Sequence, residues 1–291
     1  MPERFPIELV GVILQEAVEL FIASDRHTVV SVALTAKFIY RLVRPILFRR
    51  LVVTQRNKDR ISQLLRRNEI NDLVLDLGFA EDYWDPGPIA FTLKNLRCLR
   101  GYTYWVDKML EGLPPSSQSS LRKLQLWQTY PTDGVQIPPS VTHLCLYNSV
   151  VEPPSPEQVM AWVAAIPALT HLGLDFVVFV NPDRLDDSSL SLEPGELARE
   201  LEMVFHTCGA NLQQLSMRLC INMSESRWQQ ILDALRVRAR ENSSGLELER
   251  KIRLWWDRRV PRSLSEDLAQ SADYFLGGVD VWSEGRSLSE F

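Results

Sequence analysis

The residues best suited by type to do chemistry are His143 and His171, each preceded by threonine and followed by leucine in the same local setting. Histidine serves both as a metal ligand and as a proton carrier near neutral pH. On adjacent strands, about 4.8 Å apart, two such rings could share an ion if they converged. A zinc site, however, wants at least three protein ligands. No carboxylate or further histidine recurs in that row, and His27 and His206 stand alone. Neither a metal nor a cofactor is therefore expected. Catalytic signatures are missing as well: the chain has no Gly-x-Ser-x-Gly, no His-Glu-x-x-His and no glycine loop arranged to cradle a phosphate. Asp186 and Asp187 fall in a polar stretch, and Glu247 and Glu249 alternate with Leu246 and Leu248 as a surface face would. The expectation is a protein that recognises and does not catalyse.

Composition agrees with that class. Of 291 residues 45% are hydrophobic and 24% charged, which is enough apolar material for a sizeable core. A net charge of -5 lacks the basic surplus of a nucleic-acid binder, and apolar residues interrupt the basic clusters Arg41–Arg50 and Arg250–Arg262. Cys98, Cys145, Cys208 and Cys220 form no Cys-x-x-Cys pair, which suits buried thiols in a reducing compartment. Glu3, Glu8 and Glu16 break the N-terminal apolar run, so no secretory leader is expected. No apolar stretch is long enough to span a bilayer. These features predict a cytoplasmic or nuclear protein with neither nucleic acid nor membrane as partner.

Helices must open the chain. Leu9, Ile13, Ala17 and Leu20 make one stripe at helical spacing, and Val10, Leu14, Val18 and Phe21 make its neighbour. So wide an apolar face implies a helix covered on two sides. Ser24 and Asp25 are candidate caps for a second helix carrying Val29, Val32, Ala33 and Ala36. A third helix, with Phe38 and Leu42, is expected to stop near Pro45.

Past residue 53 a repeat takes over, Leu-x-x-Leu-x-Leu. It is carried by Ile70-x-x-Leu73-x-Leu75, Leu121-x-x-Leu124-x-Leu126, Val141-x-x-Leu144-x-Leu146, Leu169-x-x-Leu172-x-Leu174 and Leu212-x-x-Leu215-x-Met217, with Leu96-x-x-Leu99 as a weaker copy. Start to start the steps are 26, 25, 20 and 28 residues, then 43. All but the last lie in the range of leucine-rich repeats, roughly 20–29 residues. Within Leu-x-Leu the leucines face one side of a strand and the middle residue faces the other. Helical returns are marked by Ile61, Leu64 and Leu65, by Val159, Trp162, Val163 and Ile166, by Leu197, Leu201, Val204 and Phe205, and by Trp228, Ile231, Leu232 and Leu235. At Pro114-Pro115, Pro138-Pro139 and Pro153-Pro154 an extended return is an alternative. Residues 181–194 read as a loop, and Ile252–Trp256 as a last strand.

The residues alternating with the leucines make three rows: Lys123, His143, His171 and Gln214; Gln125, Cys145, Gly173 and Ser216; Trp127, Tyr147, Asp175 and Arg218. Candidate target-binding residues are Lys123, Gln125, Trp127, His143, Tyr147, His171, Asp175 and Arg218, with Trp127 and Tyr147 as aromatic anchors. The competing reading is that loops or the tail cover this face and the aromatics only pack.

The opening Phe5-Pro6-Ile7-Glu8-Leu9 with Ile13-Leu14 resembles the start of the F-box, where Leu-Pro-x-Glu-Leu begins the first helix. Val32-Ala33-Leu34-Thr35-Ala36-Lys37-Phe38-Ile39 looks like its Leu-Val-Ser-Lys segment, and Arg44-Pro45-Ile46-Leu47-Phe48-Arg49 is similar to the ending in many fungal F-box proteins. The likeness covers about the first 77 residues by motif and the rest by architecture. It implies a substrate-recognition subunit of an SCF-type ubiquitin ligase, with a Skp-family adaptor and a cullin scaffold as partners and an unidentified protein as target. By position Pro6, Leu9, Ile13, Leu34 and Ile39 would meet the adaptor. Ile39 stands where an aromatic is usual, with Phe38 beside it, and Thr35-Ala36 replaces Val-Ser. The alternative is a stand-alone leucine-rich-repeat scaffold whose N-terminal helices only cap the first strand. The expected fold is α/β, a three-helix F-box-like segment followed by a short irregular leucine-rich-repeat solenoid with a parallel sheet. Its expected divisions are residues 1–53, 54–262 and a tail or cap at 263–291.

Overall fold

A computed structural model describes residues 7–22, 25–79, 87–127, 137–148, 163–177, 212–220, 225–241, 251–256 and 286–287, and the single positions 157, 161, 195 and 199. Three helices open it: α1 (Ile7–Phe21), α2 (Arg26–Ala33) and α3 (Lys37–Arg49). Asp25 caps α2, its carboxylate accepting from the Thr28 N–H at 3.0 Å. Helix α3 does not stop at Pro45. It carries the proline inside it and runs to Arg49, directly into the first strand. Both α1 and α2 pack on α3. Val18, Val29, Ala33, Val43, Ile46 and Leu47 form their small shared core.

Eight parallel strands follow in chain order. They are β1 (Arg50–Val53), β2 (Asp76–Phe79), β3 (Cys98–Tyr102), β4 (Lys123–Trp127), β5 (His143–Asn148), β6 (His171–Val177), β7 (Gln214–Cys220) and β8 (Ile252–Trp256). The two-residue β9 (Arg286–Ser287) closes the order, antiparallel to β8. The sheet thus starts at Arg50, inside the segment that the sequence groups with the helices. Its register sets Leu51, Leu77, Leu99, Leu124, Leu144, Leu172, Leu215 and Ile252 side by side. All eight are buried.

The residue entering each strand makes the same backbone joint. The Leu75 carbonyl accepts from the amides of Arg97 and Cys98, that of Arg97 from Arg122 and Lys123, and that of Arg122 from Thr142 and His143. Thr142 and Thr170 repeat it toward the next strands, all at 2.7–3.1 Å. A buried apolar residue, Leu96, Leu121, Val141, Leu169 or Leu212, precedes each of the joined strands β3–β7.

The remaining described helices are α4 (Lys58–Arg66), α5 (Gly87–Ala90), α6 (Thr103–Gly112), α7 (Pro115–Ser120) and α8 (Glu225–Glu241). Ile61 and Leu65 of α4, Val106 and Met109 of α6, and Trp228, Ile231, Leu232 and Leu235 of α8 join the leucines in one core. Phe48 touches both this core and that of α1–α3. After Pro114 the return is a short helix and not an extended segment, with Pro115 in its first turn where a missing N–H is harmless. Val163 and Ile166 of the second expected return are buried in the core. The third return, around Leu197–Phe205, and the loop 181–194 lie outside the described residues.

One repeat is out of phase with its sequence reading. The segment Ile70-x-x-Leu73-x-Leu75 precedes the strand; Ile70 is buried, but Leu73 and Leu75 are only half-buried, and the apolar residues buried from there on are Val74, Leu77 and Phe79. The pattern is therefore Val74-x-x-Leu77-x-Phe79. Next to it, the weak copy ends in Gly101, level with Leu126 on β4. Gly101 has φ +152°, and a Cβ there would lie 3.0 Å from Phe79 Cδ2. The phenyl ring of β2 fills the space that a leucine on β3 would take. Gly101→Ala is therefore expected to destabilise the fold by about 1–3 kcal/mol, from strain and overpacking together. Urea unfolding checks this; an unchanged midpoint would contradict the packing described.

Candidate binding surfaces

The three predicted rows exist in the register. Lys123, His143, His171 and Gln214 align, as do Gln125, Cys145, Gly173 and Ser216, and Trp127, Tyr147, Asp175 and Arg218. Their exposure differs from the expectation. Gln125 is 2% exposed and Trp127 5%, with Cys145 and Ser216 buried beside them. Gln125 and Trp127 are thus packed residues and not an open reading surface. Strand alternation fixes which face a side chain takes, not whether that face is covered. Trp127 stacks edge-on against Tyr102 at 5.7 Å, and the Thr103 hydroxyl donates to the Trp127 carbonyl. Lys123, His143, His171 and Gln214 are half-buried and form the accessible row. Tyr147, Asp175 and Arg218 are described by backbone position.

His143 and His171 do come together. Their rings stack at 4.0 Å with planes 6° apart. Each Nδ1 lies 2.8–2.9 Å from the hydroxyl of the threonine before it. Thr142 gives its own proton to the Arg122 carbonyl, and Thr170 gives its proton to the Thr142 carbonyl. Where the hydroxyls donate to those carbonyls, Nδ1–H donates to the hydroxyl and Nε2 bears the lone pair of the neutral ring. Ring-plane lone pairs of parallel stacked imidazoles run side by side. They do not converge on one ion. Among the described residues no three potential metal-ligating side chains group together.

Sequence reasoning missed a charged cluster at the start of the sheet. Asp76 on β2 accepts from Arg50 Nε at 3.1 Å, and from Arg100 Nε and Nη2 at 3.1 and 2.6 Å. The two arginines come from the flanking strands, so the carboxylate ties β1, β2 and β3 together. Both Asp76 and Arg100 are buried. No local motif announces the cluster, because its members stand 24 and 26 residues apart. Beside it burial, and then the Asp76 carboxylate, push the Cys98 thiol up to about 12. The cluster ties the first three strands together.

The N-terminal helices differ in kind. Gly11, whose added Cβ would meet Leu42 at 3.7 Å, and Val18 lie on the face of α1 turned into the chain. The opposite arc carries Leu9, Val12, Ile13 and Leu20 at 50–75% exposure. On the neighbouring helices Leu34 is 75% and Phe38 44% exposed. Ile39 instead turns inward and packs on the helical core. Of the residues expected to meet an adaptor, Leu9, Ile13 and Leu34 stand open and Ile39 does not; Pro6 lies outside the described residues.

Compared with known proteins, the chain matches no family model, no curated protein sequence and no solved structure. Among the described residues no helix is long and apolar enough to cross a membrane.

Cysteine chemistry gives a direct check on this geometry. A thiol that ionises only near pH 12 is neutral at pH 8, and neutral thiols react slowly. Cys98 and Cys145, both buried, are expected to resist a maleimide at pH 8 in the native protein and to react fully in denaturant. Peptide mass spectrometry reads the outcome; rapid native labelling of Cys98 would refute its burial.

Proposed function

We propose that the protein is a substrate-recognition subunit of an SCF-type ubiquitin ligase. In this reading α1–α3 dock a Skp-family adaptor, which links the chain to the cullin scaffold. The strand array then holds a target protein, and the chain itself makes and breaks no bonds. The exposed apolar surface of α1 and the α2–α3 corner carries the proposal. Contiguous apolar surface left open on a folded chain marks a place where another protein sits. It coincides with the F-box resemblance at Leu9, Ile13 and Leu34. A stand-alone scaffold whose helices merely capped the first strand would cover Leu9 and Ile13, and both are at least half exposed.

The sheet is read as a divergent leucine-rich-repeat array. The uniform joints at five successive strand entries, and the single leucine column, support this. Target contact is assigned to the accessible row of Lys123, His143 and His171. A cytoplasmic or nuclear setting goes with this role.

Full-length protein is expected to co-purify with a Skp-family adaptor at micromolar concentrations. The whole chain is the right reagent, because Phe48 is shared by the helical and strand cores. Leu9→Asp and Ile13→Asp should each weaken the complex by about thirtyfold or more, the effect of losing an interface anchor. Their melting temperatures should stay near wild type, since both side chains face solvent. Absence of any complex with the wild-type chain would end the ligase reading.

A further inference from the structure

We infer that the stacked rings of His143 and His171, with Lys123 beside them, form a seat for a carboxylate of the bound target, and that filling it takes up a proton; this rests on the target reading of that row above. The first ground is orientation. Lys123, His143, His171 and Gln214 are the first residues of β4, β5, β6 and β7, and they lie side by side in the register. Each imidazole is held at Nδ1 by the hydroxyl of the threonine before it, at 2.8 and 2.9 Å. A protonated ring keeps Nδ1–H on that hydroxyl and carries its other proton at Nε2, away from the threonine. The rings stand 4.0 Å apart with planes 6° apart, so the two Nε2–H groups point the same way. The parallel geometry that denies them a shared metal ion suits an acceptor with two oxygens, one for each ring.

The second ground is charge. From β3 to the start of β8, this level of the sheet holds two lysines and no carboxylate among the described residues. Lys123 stands one strand from His143, and Gln214, one strand from His171, donates its amide to Ser216. Lys251 comes just before β8, level with Gln214. Arg122, before Lys123, donates to the Ser119 and Leu121 carbonyls. On the far side of Lys123 lies Cys98, whose thiol burial pushes up to about 12. Beyond it is Asp76, engaged by Arg50 and Arg100. The next row along the strands, Gln125, Cys145, Gly173 and Ser216, brings no acid or base. Asp175 and Arg218 stand four residues on from His171 and Gln214, about 13 Å along their strands.

Orientation and charge together tie the anion to the proton. Two imidazolium rings 4.0 Å apart repel each other, and Lys123 repels both. The pair therefore takes its protons in two coupled steps, the second at lower pH than the first. A carboxylate lying across both Nε2–H groups cancels that repulsion and draws the second proton on. Binding and protonation then reinforce each other, so the seat holds an acidic side chain more tightly as pH falls. A target segment rich in glutamate or aspartate fits this row, whereas a basic segment is repelled by it.

The test titrates full-length protein with a short polyglutamate peptide, whose carboxylates stay ionised near pH 6. Calorimetry in two buffers of different ionisation enthalpy is expected to show uptake of roughly half to one proton per peptide. Affinity should rise about tenfold from about pH 7.5 to about pH 6. Ring NMR signals of His143 and His171, assigned with H143Q and H171Q, should titrate in two steps without peptide and at higher pH with it. His27 on α2 serves as the unresponsive control. H143Q/H171Q should lose the pH dependence, and K123Q should weaken binding about threefold or more at every pH. Thermal melts report whether each variant folds; where one does not, proton uptake and ring signals of the wild type decide. Absence of peptide binding near pH 6, or binding that takes up no proton or leaves both rings unmoved, would overturn the inference. Adaptor co-purification does not involve this row and tests the ligase reading separately, so either can fail alone.

Discussion

Everything in the sheet depends on leucine lying opposite leucine across parallel strands. A parallel strand satisfies its backbone only through its neighbours, and a slip of one residue turns every leucine to the wrong face. Here the register is pinned twice at each step. The buried column from Leu51 to Ile252 fixes which residues face the helices. A carbonyl shared by two successive amides fixes where each strand from β3 to β7 begins. Side-chain burial and backbone pairing therefore demand the same alignment. That agreement allows strand after strand to be added in chain order although the connecting segments differ in length.

Where the pattern is broken, the compensation comes from the next strand. Gly101 removes a leucine from β3, and Phe79 of β2 fills the place. Asp76 puts a charge into a buried row, and Arg50 and Arg100 neutralise it from either side. Breaking a buried, hydrogen-bonded pair by removing one partner is strongly destabilising, whereas the intact pair adds little by itself. The cluster thus fixes the order and alignment of β1, β2 and β3 more than it adds to net stability. Both departures fall in the first strands, next to the helices, where the leucine pattern is least regular.

This explains which parts of the fold were legible in the chain. Leu-x-Leu has period two, and wherever both leucines are present the strand and its face can be read directly, as in β4 to β6. In β2 the reading slid by four residues, because Ile70, Leu73 and Leu75 imitate the pattern while the true copy holds Asp76, Gly78 and Phe79. An aspartate in a buried strand looks like a turn until its arginine partners are placed, and both are more than twenty residues away. The rows of the opposite face were legible in alignment for the same periodic reason. Their burial was not, since Gln125 and Trp127 are covered by three-dimensional packing that no local spacing encodes. Likewise, the choice between Phe38 and Ile39 depends on where α3 meets α2, a tertiary matter that one residue of sequence offset cannot settle.

The helical unit has the opposite economy of surface. Its own core is six small or medium apolar residues, and more large ones than that stand exposed on α1, at Val30 and Leu34, and at Phe38 and Tyr40. Apolar side chains standing among the exposed Gln15, Glu16 and Glu19 of α1 gain stability when something covers them. What the chain itself supplies is the strip at Gly11 and Val18, together with the run of α3 into β1. That run matters for any protein seated on α1. Because α3 continues into the first strand without a linker and Phe48 belongs to both cores, a partner gripping the helices also sets the direction of the whole strand array. Packing at Phe48 and the unbroken run from Lys37 to Val53 hold the helices against the first strand.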